Sequence, residues 1–190
     1  MSTIVYPIGI SGSGKSLLGD NLKKKIPDLN IICMDDFRRD LTGSVSDQTQ
    51  NEKVWKKSQA AMNDALSRGE DVFYSATNLT SKKGFVTAVA ELLEQHRRKG
   101  LRAIVAFLID SKDPKMCLKR VEKDLSDGVD RSVVGDDIVN RQYQRFMAMY
   151  DTPWIQERSL LGIDVMDVVA TSERDVAQLA EKIRKNQGRK

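Results

Sequence analysis

Eight residues near the start of the chain have the types and spacing of a phosphate-binding loop. The stretch GISGSGKS, residues 9–16, fits the pattern Gly-x-x-x-x-Gly-Lys-Ser in full. Glycines allow backbone N–H groups to turn toward a phosphate that a side chain would otherwise keep away, the lysine reaches the β- and γ-phosphates, and the serine ligates Mg²⁺. The pattern therefore predicts a nucleotide-binding site, with Gly9, Ser11, Gly12, Ser13, Gly14, Lys15 and Ser16 as its residues.

A second stretch, MDDFRRD at residues 34–40, combines two adjacent carboxylates with two adjacent guanidiniums. In a helix, Asp35 and Arg38 share a face, as do Asp36 and Arg39, because each pair is three residues apart. Alone, the stretch is typical of a solvated helix with internal ion pairs. Beside a phosphate loop it offers a carboxylate that accepts a hydroxyl proton and an arginine that holds a phosphate through a bidentate fork.

Both stretches follow short apolar runs that alternate with longer helical patterns, as in a parallel sheet covered by helices on both faces. The predicted strands are TIVYPI (3–8), NIIC (30–33), DVFYS (71–75), LRAIVAFLI (101–109) and DVMDVVA (164–170). The expected fold is a doubly wound five-stranded parallel sheet. In that fold, the segments that follow the strands share one edge. The phosphate loop, MDDFRRD, ATNLTS and DSKD are therefore expected to meet there.

The helical patterns begin and end at recognisable signals. They cover residues 15–26, 51–69, 81–100, 114–125 and 172–187. The first stops before Pro27, the fourth has a proline in its first turn, and the last opens with a capping box. One irregular polar segment, SDGVDRSVVGDD at 126–137, is expected to be mobile.

Composition describes an ordinary globular chain. The 190 residues are 40% hydrophobic and 31% charged, which predicts a single domain over 1–190. No apolar stretch approaches a membrane span and no signal peptide is recognisable, so the expected location is cytoplasmic. Cys33 and Cys117 fit no metal-ligand spacing and are predicted to be free thiols. His96, the only histidine, is expected at a helix end, where a positive charge complements the dipole.

Three classes of nucleotide-binding protein compete for this loop. A guanine-nucleotide switch needs an Asn-Lys-x-Asp motif, which the sequence lacks. A hydrolysing motor carries a water-activating acid after an apolar strand, whereas here VAFLID ends in Asp110 followed by Ser111. Asp110 is left with two readings, a neighbour of Mg²⁺ or a turn former. A small kinase needs only the loop, an acceptor site and a lid, and it fits this length.

At this point the sequence resembles the kinase domain of the phage-type 5′-hydroxyl polynucleotide kinases. The likeness covers roughly residues 3–150 and rests on GISGSGKS, Asp35-Asp36-Phe37-Arg38, Thr77-Asn78-Leu79 and a Leu-Lys-Arg run entering a lid. The resemblance implies a P-loop kinase-like fold with a lid at about 120–137, and ATP with Mg²⁺ as cofactors. It assigns Asp35 as general base and Arg38 as ligand of the acceptor phosphate, and it places Thr77 and Asn78 at the acceptor site.

The sequence departs from the family pattern at two places. The family has an acid just before the Thr-Asn pair, where this chain has Ala76. Its lid pairs two arginines four residues apart; Arg120 fits the first, but Asp124 occupies the second. Arg131 or Lys123 is the candidate replacement. Arg120 and Arg131 are accordingly assigned to the ATP phosphates, with Arg131 and Lys15 also counted as catalytic.

The resulting expectation is phosphoryl transfer from ATP to a hydroxyl on a nucleic acid, favouring the 5′-OH end of DNA or RNA. The alternative is a phage DNA kinase that phosphorylates a hydroxymethyl group on a modified pyrimidine. A kinase of free nucleotides or small hydroxyl compounds and a non-catalytic nucleotide-binding module also stay open. The expected partners are nucleic acid and further copies of the chain. No membrane association and no phosphatase domain are expected. If a phage encodes the protein, its expected location is the host cytoplasm.

Overall fold

A strand buried along its whole length forms the middle of the sheet. The computed structural model describes residues 1–151 and 162–188, and its five strands are β1 (Thr3–Ile8), β2 (Asn30–Cys33), β3 (Val72–Ser75), β4 (Arg102–Leu108) and β5 (Ile163–Val168). Their order is β2-β3-β1-β4-β5, and every neighbouring pair is parallel. The predicted five-stranded parallel sheet is therefore confirmed.

The register follows from the central position of β1. Ile4 lies opposite Val72 of β3 on one side and opposite Ala103 of β4 on the other. All six residues of β1 are buried, because helices cover both faces of the sheet. The predicted bounds of β1 and β2 are correct, and those of the other strands differ by one or two residues at an end.

Seven α-helices connect and cover the strands in the described part of the chain. They are α1 (Lys15–Lys25), α2 (Met34–Thr42), α3 (Asn51–Ser67), α4 (Lys82–Gln95), α5 (Pro114–Ser126), α6 (Asp136–Tyr150) and α7 (Glu173–Gln187). Short 3₁₀ turns cover Arg97–Lys99 and Ile109–Lys112. The prediction of one helix over 81–100 is thus too long, since the α-helix ends at Gln95.

Apolar side chains of the helices form a separate core on each face of the sheet. On one face, α3, α4 and α6 contribute Met62, Phe85 and Phe146. On the other, α1 and α7 pack against each other and contribute Leu22 and Leu179. These two layers fix the sheet between them, so the edge where the strands end has a rigid base.

The predicted irregular segment is shorter than expected and makes defined contacts. Ser126 belongs to α5 and residues 136–137 belong to α6, which leaves 127–135 as the irregular lid loop. The Ser132 hydroxyl donates to the Val45 carbonyl at 2.8 Å, and the Val133 N–H donates to the Ser46 hydroxyl at 3.4 Å. The lid loop therefore lies against the chain that follows α2.

His96 corrects one expectation. It caps the end of α4 as predicted, but it is only 4% exposed and its Nε2 lies 3.3 Å from Asn63 Oδ1. Burial lowers the pKa of His96, which favours the neutral ring, so it does not supply a positive charge to the helix end. Separately, none of the helices in residues 1–151 and 162–188 is long and apolar enough to cross a membrane.

Two leucines on α1 test the core beneath the phosphate loop. Leu22 is fully buried, whereas Leu17 is 41% exposed on the same helix. We expect Leu22→Ala to lower the free energy of unfolding by about 2–5 kcal/mol, because it removes buried methyl groups and leaves a cavity. Leu17→Ala should change it by less than about 1 kcal/mol. Urea unfolding measures both, and equal losses would contradict the described packing.

Candidate active site

The phosphate loop connects β1 to α1 through backbone that only glycine tolerates. Gly12 has φ +79°, and a Cβ there would lie 2.1 Å from the Cys117 carbonyl oxygen. At Gly9, a Cβ would lie 2.5 Å from Ser13 Oγ. Any side chain at either position would displace its neighbours, so these glycines allow α5 and the loop itself to approach closely.

Lys15 turns back over the loop from the first turn of α1. Its Nζ donates to the carbonyl oxygens of Gly9 at 2.9 Å and Ile10 at 2.7 Å. Burial of the ammonium group lowers the pKa of Lys15 to about 8. The charges of Arg131 and Asp35 act on this pKa in opposite directions, so both side chains lie near Lys15.

The loop fits an anion better than any other ligand. Ser13 Oγ is buried without a hydrogen-bond partner, and the first N–H groups of α1 have no intrahelical acceptor. Within residues 1–151 and 162–188, no group of three His, Cys, Asp or Glu side chains could hold a metal. Ser16, exposed at the start of α1, is the residue that would hold a Mg²⁺ ion here.

The MDDFRRD stretch forms the start of α2 directly after β2. Asp35 and Arg38 form an ion pair across one turn, as predicted for a helix. The Arg38 Nη1 also faces the Val45 carbonyl at 3.4 Å, and Nη2 donates to Asn51 Oδ1 at 3.3 Å. Arg38 is only 7% exposed and its Nε is buried without a partner, whereas half of the Asp35 side chain is exposed. The pair thus keeps an accessible carboxylate beside an incompletely satisfied guanidinium.

The second pair of the stretch joins α2 to the lid loop. Arg39 Nη1 lies 3.0 Å from Asp36 Oδ1, and its Nε lies 2.7 Å from Asp130 Oδ2 in the lid loop. All three side chains are exposed, so each contact contributes little to stability by itself. Asp36 and Arg39 therefore act as local support.

Arg120 reaches the phosphate loop from α5. Its Nη1 donates to Asp110 Oδ2 at 2.7 Å and lies 3.5 Å from the Gly12 carbonyl oxygen. The sequence left two roles open for Asp110, a neighbour of Mg²⁺ or a residue that forms a turn. In this structure its side chain is the ion-pair partner of Arg120.

Asp124 stands where the polynucleotide kinases that the sequence resembles have a second lid arginine. In this structure it pairs with a different arginine. Arg131 from the lid loop forms an ion pair with Asp124, and its Nε is buried without a hydrogen-bond partner. Arg131 also acts on the pKa of Lys15. Lys123 is exposed, so of the two candidates Arg131 is the one with a described ion pair and with an effect on Lys15.

The segment after β3 lies against the phosphate loop through its backbone. The Thr77 carbonyl accepts from the Gly9 N–H at 3.4 Å. Asn78 has φ +54°, and its Nδ2 faces the carbonyls of Pro7, Tyr74 and Ala76 at 3.0–3.3 Å. The donors of Asn78 are therefore used to hold this turn, and its role as a substrate ligand stays a prediction, as does that of Thr77.

Two side chains that accept hydrogen bonds from the phosphate loop are not predicted from the sequence. Ser111 Oγ accepts from the Ile10 N–H at 3.2 Å, and Gln142 Oε1 accepts from the Ser11 N–H at 2.7 Å. Ser111 follows β4 and lies in the DSKD segment that was expected at this edge. Gln142 lies in the middle of α6, where no motif or spacing in the sequence marks it.

The lowered pKa of Lys15 predicts how phosphate binding depends on pH. Phosphate charge stabilises the ammonium form, so the bound state holds its proton above pH 8 while the free state loses it. ATP affinity should be flat below pH 8 and then fall by up to about tenfold per pH unit, with proton uptake on binding. Calorimetric titration with Mg-ATP from pH 7 to 9.5, in buffers of different ionisation enthalpy, measures this. Lys15→Met should abolish the uptake; constant affinity across the range would contradict the assignment.

Comparisons with known proteins agree with this architecture. A candidate kinase from Chloroflexus aurantiacus j-10-fl has a similar structure (TM-score 0.61, 14% identity, 97% of this chain and 98% of that one). A gluconokinase from Sinorhizobium meliloti 1021 is also similar (TM-score 0.51, 17% identity, 98% of this chain and 97% of that one). So is a fungal RNA kinase (TM-score 0.52, 14% identity, 100% of this chain and 45% of that one). At these identities the likeness shows the fold, which is P-loop kinase-like. No curated protein matches the sequence significantly.

Residues 4–149 match the family model described as AAA domain. The match begins in β1, ends in α6 and includes the phosphate loop, α2 and the lid loop, which is most of the chain. The chain therefore belongs to the AAA domain family.

Proposed function

We propose that the protein transfers the γ-phosphoryl group of ATP, with Mg²⁺, to a hydroxyl on a nucleic acid, in first place the 5′-OH end of DNA or RNA. One observation carries the proposal. The Asp35–Arg38 pair begins α2 at the end of β2, on the same edge of the parallel sheet as the phosphate loop, and the charge of Asp35 acts to raise the pKa of Lys15. A base and an anion clamp next to the phosphate to be transferred are what such an acceptor needs.

The donor side combines three cations around the loop. Lys15, Arg120 and Arg131 all lie near residues 9–16, and Ser16 is exposed at the start of α1. Phosphoryl transfer depends mainly on positioning and on stabilising the charge of the transferred group. Ser16 would hold Mg²⁺, which would neutralise part of the phosphate charge when bound with ATP. The four residues are thus assigned to the ATP phosphates.

On the acceptor side, Asp35 accepts the proton of the attacking hydroxyl. The hydroxyl oxygen forms the new bond to the γ-phosphorus, the bond to the bridging oxygen breaks, and ADP leaves. Arg38 is assigned to a phosphate of the acceptor, since its buried Nε and one hydrogen of Nη2 have no partner in the described part of the protein.

The nucleic-acid acceptor is supported by the sequence resemblance to polynucleotide kinases, which includes both Asp35 and Arg38. The fungal RNA kinase among the similar structures is consistent with it, although this chain spans only 45% of that protein. Arg38 requires a phosphate or carboxylate near the accepting hydroxyl, which favours a nucleotide unit over a neutral sugar. The homo-oligomer that the resemblance implies is part of the proposal.

A hydroxymethyl group on a pyrimidine in DNA is the second candidate acceptor. Ala76, where the family has an acid, is half-buried and packs against the core of the sheet. The acceptor site therefore has an apolar wall in place of a carboxylate at this position, and an apolar wall suits the face of a flipped base.

Replacing Asp35 tests its role as general base. Asp35→Asn keeps the size of the side chain but removes its proton affinity, so the transfer rate should fall by about 10²- to 10⁴-fold while ATP affinity changes little. Asp36→Asn is the matched control, because Asp36 is the adjacent carboxylate and pairs with Arg39 instead. Steady-state kinetics with a saturating acceptor measures both. Full activity of Asp35→Asn would remove Asp35 as the base.

A panel of acceptors tests the substrate class. The protein is incubated with γ-labelled ATP and a 5′-OH DNA or RNA oligonucleotide, a 5′-phosphorylated oligonucleotide with hydroxymethyluracil, or free nucleosides and nucleotides. We expect label in the 5′-OH oligonucleotides. Label only in the hydroxymethyluracil strand would select the second candidate. Label only in free nucleosides or nucleotides would end the nucleic-acid proposal, and label nowhere would favour a non-catalytic module.

Salt dependence gives an independent check on a polyanionic acceptor. Each phosphate contact to a single strand releases counterions, so log affinity should fall by roughly 0.7 per contact for each log unit of salt. The KM of the oligonucleotide between 50 and 300 mM KCl measures the slope, with the KM of ATP as control. An oligonucleotide KM that ignores salt would contradict binding through phosphates.

A further inference from the structure

Gln142 contacts the phosphate loop from a helix that is distant in sequence. Its Oε1 accepts the hydrogen bond of the Ser11 N–H at 2.7 Å, across 131 positions of the chain. The accepting atom must be the carboxamide oxygen, because the backbone group is a donor. Gln142 is only partly exposed, whereas Gln144 on the same helix is exposed.

The same peptide group also holds Lys15. The Ser11 N–H and the Ile10 carbonyl belong to one planar peptide unit, and the Ile10 oxygen accepts from Lys15 Nζ at 2.7 Å. Rotation of this unit would break both hydrogen bonds together. Gln142 on one side, and Lys15 together with the Ser13 N–H on the other, therefore fix the orientation of a single peptide.

The Ile10 carbonyl is also held from within the loop, because it accepts from the Ser13 N–H at 3.2 Å. The Ser11 N–H, by contrast, is held by Gln142. Ser111 Oγ holds the Ile10 N–H at 3.2 Å, and Arg120 lies 3.5 Å from the Gly12 carbonyl. Neither of them binds the Ile10 carbonyl or the Ser11 N–H. Gly12 has a left-handed φ of +79°. Because glycine is conformationally permissive, the backbone after Ser11 can reorient more easily.

We propose that Gln142 is a positioning residue for Lys15, acting through the Ile10–Ser11 peptide, so that α6 sets where the lysine meets the ATP phosphates. This inference rests on the proposed use of the loop for ATP. Loss of the Gln142 oxygen frees the peptide, removes a carbonyl acceptor from the ammonium group and leaves Lys15 less well placed for phosphate.

Three variants separate this role from simple packing. Gln142→Met keeps the length of the side chain but removes the acceptor, Gln142→Glu keeps an acceptor oxygen, and Gln144→Met is the exposed control. The readout is Mg-ATP affinity by calorimetry, measured for each Gln142 variant in the wild-type protein and again beside Lys15→Met, which gives the coupling between the two residues. Thermal unfolding of each variant checks folding.

For Gln142→Met we expect a three- to tenfold loss of ATP affinity, because Lys15 is less well placed for phosphate. Beside Lys15→Met the same substitution should cost less than about twofold, since the lysine that it positions is gone. Gln142→Glu keeps the acceptor oxygen, so the loss caused by its added charge should persist beside Lys15→Met. Gln144→Met should match the wild type.

No loss of affinity for Gln142→Met, or a loss that is equal with and without Lys15, would overturn the positioning role. If that variant does not fold, Gln142→Ala takes its place in the same cycle, with the same overturning result. The measurement needs no acceptor, so it is independent of the proposed transfer reaction: a wild type that binds ATP and labels no acceptor would contradict the function but leave this test intact.

Discussion

Parallel pairing on both sides of β1 is the constraint on which the site depends. Because β2, β3, β1 and β4 all run in one direction, the segments that follow them meet at one edge of the sheet. Those segments carry the phosphate loop, the Asp35–Arg38 pair, the turn held by Asn78 and the Asp110–Ser111 corner. Two packed cores, one on each face, hold this edge, so residues far apart in sequence contact the loop at fixed distances.

Three arginines at this edge each pair with a carboxylate, and they surround a lysine. Among the described contacts, that lysine has no carboxylate partner. Arg38, Arg120 and Arg131 pair with Asp35, Asp110 and Asp124, while Lys15 donates to backbone carbonyls. Each carboxylate offsets the cost of bringing a guanidinium out of water. Arg38 and Arg131 nevertheless keep a buried Nε without a partner, which is the property expected of groups that complete their hydrogen bonds with an anion.

The lid loop connects the donor and acceptor halves of the site. It contains Arg131 beside Lys15, and its Asp130 and Ser132 contact Arg39 and the Val45 carbonyl. The Val45 oxygen also faces Arg38, so one carbonyl is shared by the clamp and the lid. A lid that is anchored in this way to α2 and the chain after it suits the proposed reaction, which must exclude water.

The sequence by itself determined the sheet, because buried strands and their turns are local patterns, and it determined the phosphate loop and the helical spacing of Asp35 and Arg38. Residues 152–161 lie outside the described structure, and the strand predicted after them is present. Only the tertiary structure decided which partner each cation has. Asp124 pairs with Arg131 and Asp110 with Arg120, His96 is buried, and Gln142 meets Ser11, all through packing between distant segments. Such contacts leave no periodic trace in a single sequence, since they depend on how helices cross the edge of the sheet and not on spacing along the chain.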